Sequence, residues 1–189
     1  ISIYGYLTYD GSVNFSSNII SRNAITGTDG YGGGFYAGYG LEGGYGIFNN
    51  NIITENVATA DGGGFYIGGD SNYGGQGEFV GNTLTDNVAG GSGGGCYLDA
   101  FNEGASFAFL DNTVSNNVAG DDGAGCYFDN IADGAQVYAK LAAGTAVEVR
   151  DRVTDRIDLE MADVRLAAGV GQHLEHVRGW ASTLGPAHL

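Results

Sequence analysis

Phe79-Val80-Gly81-Asn82-Thr83-Leu84-Thr85-Asp86-Asn87-Val88, followed by Gly93-Gly94-Gly95-Cys96-Tyr97, is the stretch that decides the fold. Its grammar returns three more times. Phe15–Asn18–Asn23, Phe48–Asn51–Asn56 and Phe109–Asn112–Asn117 repeat the Phe-x-x-Asn element with a second Asn five residues on; the Phe positions are 33, 31 and 30 residues apart. Gly32-Gly33-Gly34-Phe35-Tyr36, Gly62-Gly63-Gly64-Phe65-Tyr66 and Gly123-Ala124-Gly125-Cys126-Tyr127 repeat the glycine element, at intervals of 30, 31 and 30. Two elements in fixed order at a fixed period mark a repeat architecture.

The choice of architecture rests on residue type. Helical repeats of this length need long apolar faces of period 3.6, which glycine-rich segments do not supply. Short β-prone pieces separated by Asn and Gly fit brief strands joined by sharp turns. No hairpin signal recurs, and like residues return at like places, so like stacks on like at about 4.8 Å, as in a parallel β-helix. The expected inward columns are Phe15/Phe48/Phe79/Phe109, Ile20/Ile53/Leu84/Val114, Ala24/Val57/Val88/Val118 and Phe35/Phe65/Cys96/Cys126. The Asn columns are expected to form amide ladders at corners and to take left-handed backbone there. The class is all-β, a right-handed parallel β-helix of about four to five coils over residues 1–140, followed by a divergent segment, 141–189, that reads as a cap or an irregular tail.

Composition sets that boundary. Residues 1–140 hold 31 of the 36 glycines, all 12 tyrosines and two cations, Arg22 and Lys140. Residues 141–189 hold the other five of seven cations, all three histidines and the single Trp, Met and Pro. Between Val147 and Met161 apolar and polar residues mostly alternate, the pattern of half-exposed strands, although Val149, Val153, Ile157, Met161 and Val164 also make a helical stripe; residues 165–180 have helical character. A formal charge of −15 excludes nucleic acid, whose phosphates need clustered cations, and disfavours anionic membrane surfaces. No apolar run of about 18 residues is present to span a membrane. Ile3-Tyr4 stands where other coils carry the aromatic pair, so the chain is expected to start inside a coil, as a mature product or a piece of something longer.

The Phe-x-x-Asn element paired with Gly-Gly-x-hydrophobic resembles the repeat of the polymorphic outer-membrane protein family. That family usually carries Gly-Gly-Ala-Ile as its second element. Here it stands as Gly-Gly-Gly-Phe-Tyr, Gly-Gly-Gly-Cys-Tyr and, once, Gly-Ala-Gly-Cys-Tyr, and the resemblance runs from about Phe15 to Tyr127. It implies a right-handed β-helix displayed at a cell surface or outside the cell, often as the adhesive passenger of an autotransporter.

Candidate sites are few. Tyr36, Tyr66, Tyr97 and Tyr127 come one residue after the inward column and are expected to face outward, either as a binding surface for a protein or glycan or as an aromatic ladder that stabilises its own sheet. Cys96 and Cys126 share a column, so they are either a disulfide between coils or two small buried thiols. Asp61, Asp121 and Asp122, near the glycine runs, are weak Ca²⁺ candidates against the reading of solvated loop acids; no other cofactor is expected. Thr83-Leu84-Thr85 and Thr113-Val114-Ser115 resemble the flat hydroxyl arrays of ice-binding β-solenoids, but Ile52 and Ile19 break the array. Gly38-Tyr39-Gly40-Leu41-Glu42-Gly43 matches a dinucleotide fingerprint without the strand and helix that would give it meaning. His173 and His176 are an incomplete zinc pair. A polysaccharide-lyase reading needs a cationic base, and the repeats offer only Arg22 and Lys140. The sequence therefore points to a non-catalytic extracellular or surface protein, adhesive or structural. The alternatives are a filament subunit joined to copies of itself through coil ends and a carbohydrate-active β-helix enzyme.

Overall fold

A computed structural model describes residues 1–3, 11–38, 43–68, 75–99, 104–131, 136–141, 147–151 and 157–161, with side chains as far as Asp129. All described elements are strands and every pairing among them is parallel; from Phe35 to Ala119 equivalent residues of the repeat face each other, while the pairings of Ser106–Ser115 with Gln136–Leu141 and of Cys126–Ile131 with Val147–Asp151 shift register. The chain is a β-solenoid. One sheet of six strands stacks Ser2–Ile3, Phe35–Ala37, Phe65–Ile67, Cys96–Asp99, Cys126–Ile131 and Val147–Asp151. A nine-stranded sheet joins two ribbons through the long strand Ser106–Ser115; one ribbon begins at Ser12–Asn14 and the other at Ile19–Ser21. The remaining sheet has three strands, Val57–Ala58, Val88–Ala89 and Val118–Ala119. About three turns are thus complete on every face, fewer than the four to five coils expected. The turn above them reaches the short sheet only through a single Ala24–Val57 bridge. Two further strands, Val147–Asp151 and Ile157–Met161, stack below residue 131, so the alternating pattern there is a strand pattern. Residues 165–180 lie outside the described part.

Register builds the core. Phe48 lies over Phe79 with ring centroids 4.5 Å apart, and Phe65 over Phe79 at 4.6 Å. Ile20, Ile53, Leu84 and Val114 are buried in the next column. The long strand Ser106–Ser115 carries Phe107 where its neighbour has Gly77, and that ring fills the interior 5.0 Å from Phe79. One expected column is wrong: Val57, Val88 and Val118 are 38, 37 and 54% exposed, while Ala58 and Ala89 are buried. The strands here are two residues long, and the left-handed residue before each Asn resets the alternation, so the smaller residue turns inward.

The corners explain themselves from backbone geometry. Apart from Gly43 and Gly104, the left-handed residues form three columns: Ser17/Asn50/Gly81/Asp111, Arg22/Glu55/Asp86/Asn116 and Gly32/Gly62/Gly93/Gly123. In the first two it is the residue before the ladder Asn, not the ladder Asn as expected, that takes positive φ. That turn aims the Asn inward, where Asn51, Asn56, Asn82, Asn87 and Asn112 are buried. Inside the stack each amide then has full employment. Asn82 Nδ2 donates to Asn112 Oδ1 at 2.9 Å and to the Phe48 carbonyl at 2.7 Å. Its Oδ1 accepts from Asn51 Nδ2 at 3.0 Å and from the Asn51 backbone N–H at 2.8 Å. The second ladder repeats this through Asn23, Asn56, Asn87 and Asn117. No buried side-chain polar atom among the described residues lacks a partner.

The third corner needs glycine for space as well as for φ. A Cβ on Gly63 would sit 2.5 Å from the Val88 carbonyl carbon and 2.6 Å from its oxygen in the next turn. Gly33 and Gly94 meet Val57 and Val118 in the same way. Because the obstacle is backbone, Gly63→Ala is expected to cost about 3 kcal/mol through forced displacement of a packed turn. Gly27→Ala, where a Cβ meets nothing within 4 Å, should change stability by less than about 0.5 kcal/mol. Chemical denaturation of the two variants checks this, and equal effects would contradict the stacking geometry.

The tyrosine face as candidate functional site

The outer side of the six-stranded sheet carries the residues singled out from the sequence. Tyr36, Tyr66, Tyr97 and Tyr127 stand in register on successive strands, their centroids 5.5, 5.1 and 5.1 Å apart. A parallel ladder places equal residues one strand spacing apart, and the rings respond by stacking nearly flat: Tyr36 and Tyr66 are 16° from coplanar. Glycines make room for them. A Cβ on Gly38 would come 2.6 Å from Tyr36 Cε1, and one on Gly68 2.5 Å from Tyr66 Cζ. The column is open at one end and closed at the other. Tyr36 and Tyr66 are half-buried, whereas Tyr97 is 9% and Tyr127 3% exposed. The part available to a partner is therefore the upper half.

Tyr31 extends that upper half, and sequence reading missed it. Its ring lies 5.0 Å from Tyr66 and 6.5 Å from Tyr36. The signal was present: Tyr31 is the residue before the first glycine run, the column that continues as Asp61, Ser92 and Asp122. Tyr39 and Tyr73 lie outside the described residues.

Carboxylates border the rings. Tyr97 Oη donates to Asp129 Oδ2 at 3.1 Å. Burial pushes the Tyr97 phenol well above the ordinary tyrosine range, and the charges of Asp129 and Asp99 push it further. Tyr66 moves the same way, by burial first and then by Asp99. Both therefore remain neutral hydroxyl donors at physiological pH rather than nucleophiles or bases. Asp61 is also raised, by burial first; the Ser92 N–H, which donates to Asp61 Oδ1 at 2.7 Å, opposes the rise, and Asp121 and Asp129 add to it. Among the described residues no three His, Cys, Asp or Glu side chains gather as a metal site, so Asp61, Asp121 and Asp122 are not brought together as one.

Cys96 and Cys126 lie in register directly behind this face, fully buried, with Cα atoms 4.6 Å apart and the sulfurs paired as a disulfide. Arg22, the one described cation of the repeats, is held by Glu55, with Nε 2.8 Å from Oε2. On the neighbouring ribbon Thr83 pairs with Thr113 and Thr85 with Ser115, and the Thr54 and Thr85 hydroxyls bond at 3.0 Å. In the first two strands of that ribbon the equivalent positions are Ile19 and Ile52, both exposed. His173 and His176, the side chain of Lys140, and Gly40, Leu41 and Glu42 of the glycine-rich insertion lie outside the described residues.

No family model, curated protein or solved structure matches this chain. The Tyr ladder and its acids thus stand on their geometry alone.

Two measurements test the face. A phenol whose pKa is higher folded than unfolded contributes stability that is complete below the unfolded value of about 10 and is lost as pH rises beyond it. Thermal unfolding should therefore fall more steeply above about pH 10 for the native chain than for Tyr97→Phe; parallel curves would contradict the burial of Tyr97. For the cysteines, oxidised protein should show no thiol reactive to Ellman's reagent even when denatured. With a sequence separation of 30, reduction should lower stability by about 3 to 4 kcal/mol.

Proposed function

We propose that the chain is a non-catalytic extracellular or surface module whose solenoid presents an adhesive or structural face, in the manner implied by its resemblance to polymorphic outer-membrane passengers. The observation that carries this reading is the open end of the tyrosine column, Tyr31, Tyr36 and Tyr66, three rigid amphipathic rings held at fixed spacing. Such rings cover apolar area at little entropic cost while their hydroxyls bond to a polar partner, which suits a protein or a glycan. The paired cysteines agree with an oxidising compartment. A lyase would want a free cationic base; of the two cations in the repeats, Arg22 is engaged by Glu55 and the side chain of Lys140 lies outside the described residues.

The test is binding of the full chain to glycan and cell-surface arrays. Replacing Tyr36 and Tyr66 by Ser should weaken any interaction found by about tenfold or more with the fold retained. Unchanged binding by the double variant would remove the face from the reading.

A second reading, a filament subunit, draws on the N-terminal edge. Ile19 is 73% exposed there, and Asn18 Oδ1 and Asn23 Oδ1 accept no hydrogen bond among the described residues. Sedimentation velocity over a concentration series separates the two: a filament subunit polymerises, and a passenger module stays monomeric.

A further inference from the structure

The ladder asparagines and the surface asparagines differ in the residue two places after them. In both ladders that residue points inward and is apolar: Ile20, Ile53, Leu84 and Val114 after the first, Ile25, Ala58, Ala89 and Ala119 after the second. Hydroxyls fall instead at outward positions one or three residues on, as in Asn82-Thr83-Leu84-Thr85. The alternation of the strand thus keeps every ladder Asn out of an Asn-x-Ser/Thr sequence. In the whole chain only Asn14-Phe15-Ser16 has that spacing. Asn14 faces outward, between Val13 and Phe15, which both pack on the core. It lies on Ser12–Asn14, the outermost strand of its ribbon among the described residues, paired there with Tyr45–Asn49. The Ser16 hydroxyl already donates to Asn14 Oδ1 at 2.5 Å, which polarises the amide. Asn14 is exposed and Ser16 partly so.

We infer that Asn14 is an acceptor of N-linked glycan, the one site of this kind in the chain, placed where the fold tolerates a bulky group. The co-reactant is a polyprenyl-pyrophosphate-linked oligosaccharide presented by an oligosaccharyltransferase. Asn14 Nδ2 forms the bond to the sugar C1 as the C1–O bond to pyrophosphate breaks. The lipid pyrophosphate leaves as the anion, and the amide gives one proton to a base of the transferase. No oxidant or reductant takes part. Outward from its strand the glycan extends into solvent, whereas on a buried ladder Asn such as Asn82 it would replace one of the two Nδ2 hydrogens that bond Asn112 Oδ1 and the Phe48 carbonyl, and would force the core open.

The experiment is translation of the full chain, behind a signal peptide, into endoplasmic-reticulum microsomes, where transfer is read independently of later secretion. One glycan should be added, visible as a single gel shift that peptide N-glycosidase removes with conversion of Asn14 to Asp by peptide mass. Asn14→Gln and Ser16→Ala should each abolish the shift, and Ser16→Thr should retain it. An unshifted native chain in microsomes that glycosylate a control protein overturns the inference. So does a shift that survives Asn14→Gln.

Discussion

Everything in this solenoid depends on one constraint: each turn must return to its starting point one strand spacing lower, with equivalent residues aligned. Two asparagine ladders enforce it. A ladder amide bonds at once to the turn above, through a backbone carbonyl, and to the turn below, through the next amide. A slip of one residue would empty all of these buried bonds together, and each unpaired group would cost about 1 to 3 kcal/mol. Hydrophobic stacking alone is less discriminating, since a Phe column tolerates modest shifts. The ladders therefore specify register, and the rings, once aligned, supply the bulk of the buried area.

This division of labour decides what was legible in the sequence. The period, the parallel stacking, the Phe15/Phe48/Phe79/Phe109 column and the opposition of Cys96 to Cys126 all come from like residues recurring at like places. What failed was local. Val57, Val88 and Val118 look like core by residue type, yet the preceding left-handed corner inverts the alternation and leaves Ala58 and Ala89 inside. The Ile3-Tyr4 pair was expected opposite Phe35-Tyr36, but Ser2 faces Tyr36 and Ile3 faces Ala37, a two-residue offset; Tyr4 lies beyond the described residues. Both errors arise where strands are two residues long, too short for periodicity to fix a face.

The candidate site was legible in one dimension and not in the other. Repetition identified Tyr36, Tyr66, Tyr97 and Tyr127 as a column. Burial along that column is a property of the turns around it, and nothing in the repeat distinguishes the half-open Tyr66 from the closed Tyr127. Tyr31 escaped because its own column changes chemistry at each turn, from phenol to carboxylate to hydroxyl and back. Burial first, and the charges of the bordering acids second, raise the Tyr66 and Tyr97 phenols above the ordinary tyrosine range.

The ladders also give the molecule a sense of direction. In every rung the carboxamide oxygen looks toward the N-terminal end, and one amide hydrogen looks the other way. At the first rung Asn18 Oδ1 and Asn23 Oδ1 accept no hydrogen bond among the described residues, while opposite Asn112 in the following turn stands Leu141, a residue type without a side-chain acceptor. Each rung accepts from the turn before it and donates to the turn after it, so the described turns carry one polarity from first to last, and a turn laid in reverse could not join the ladder.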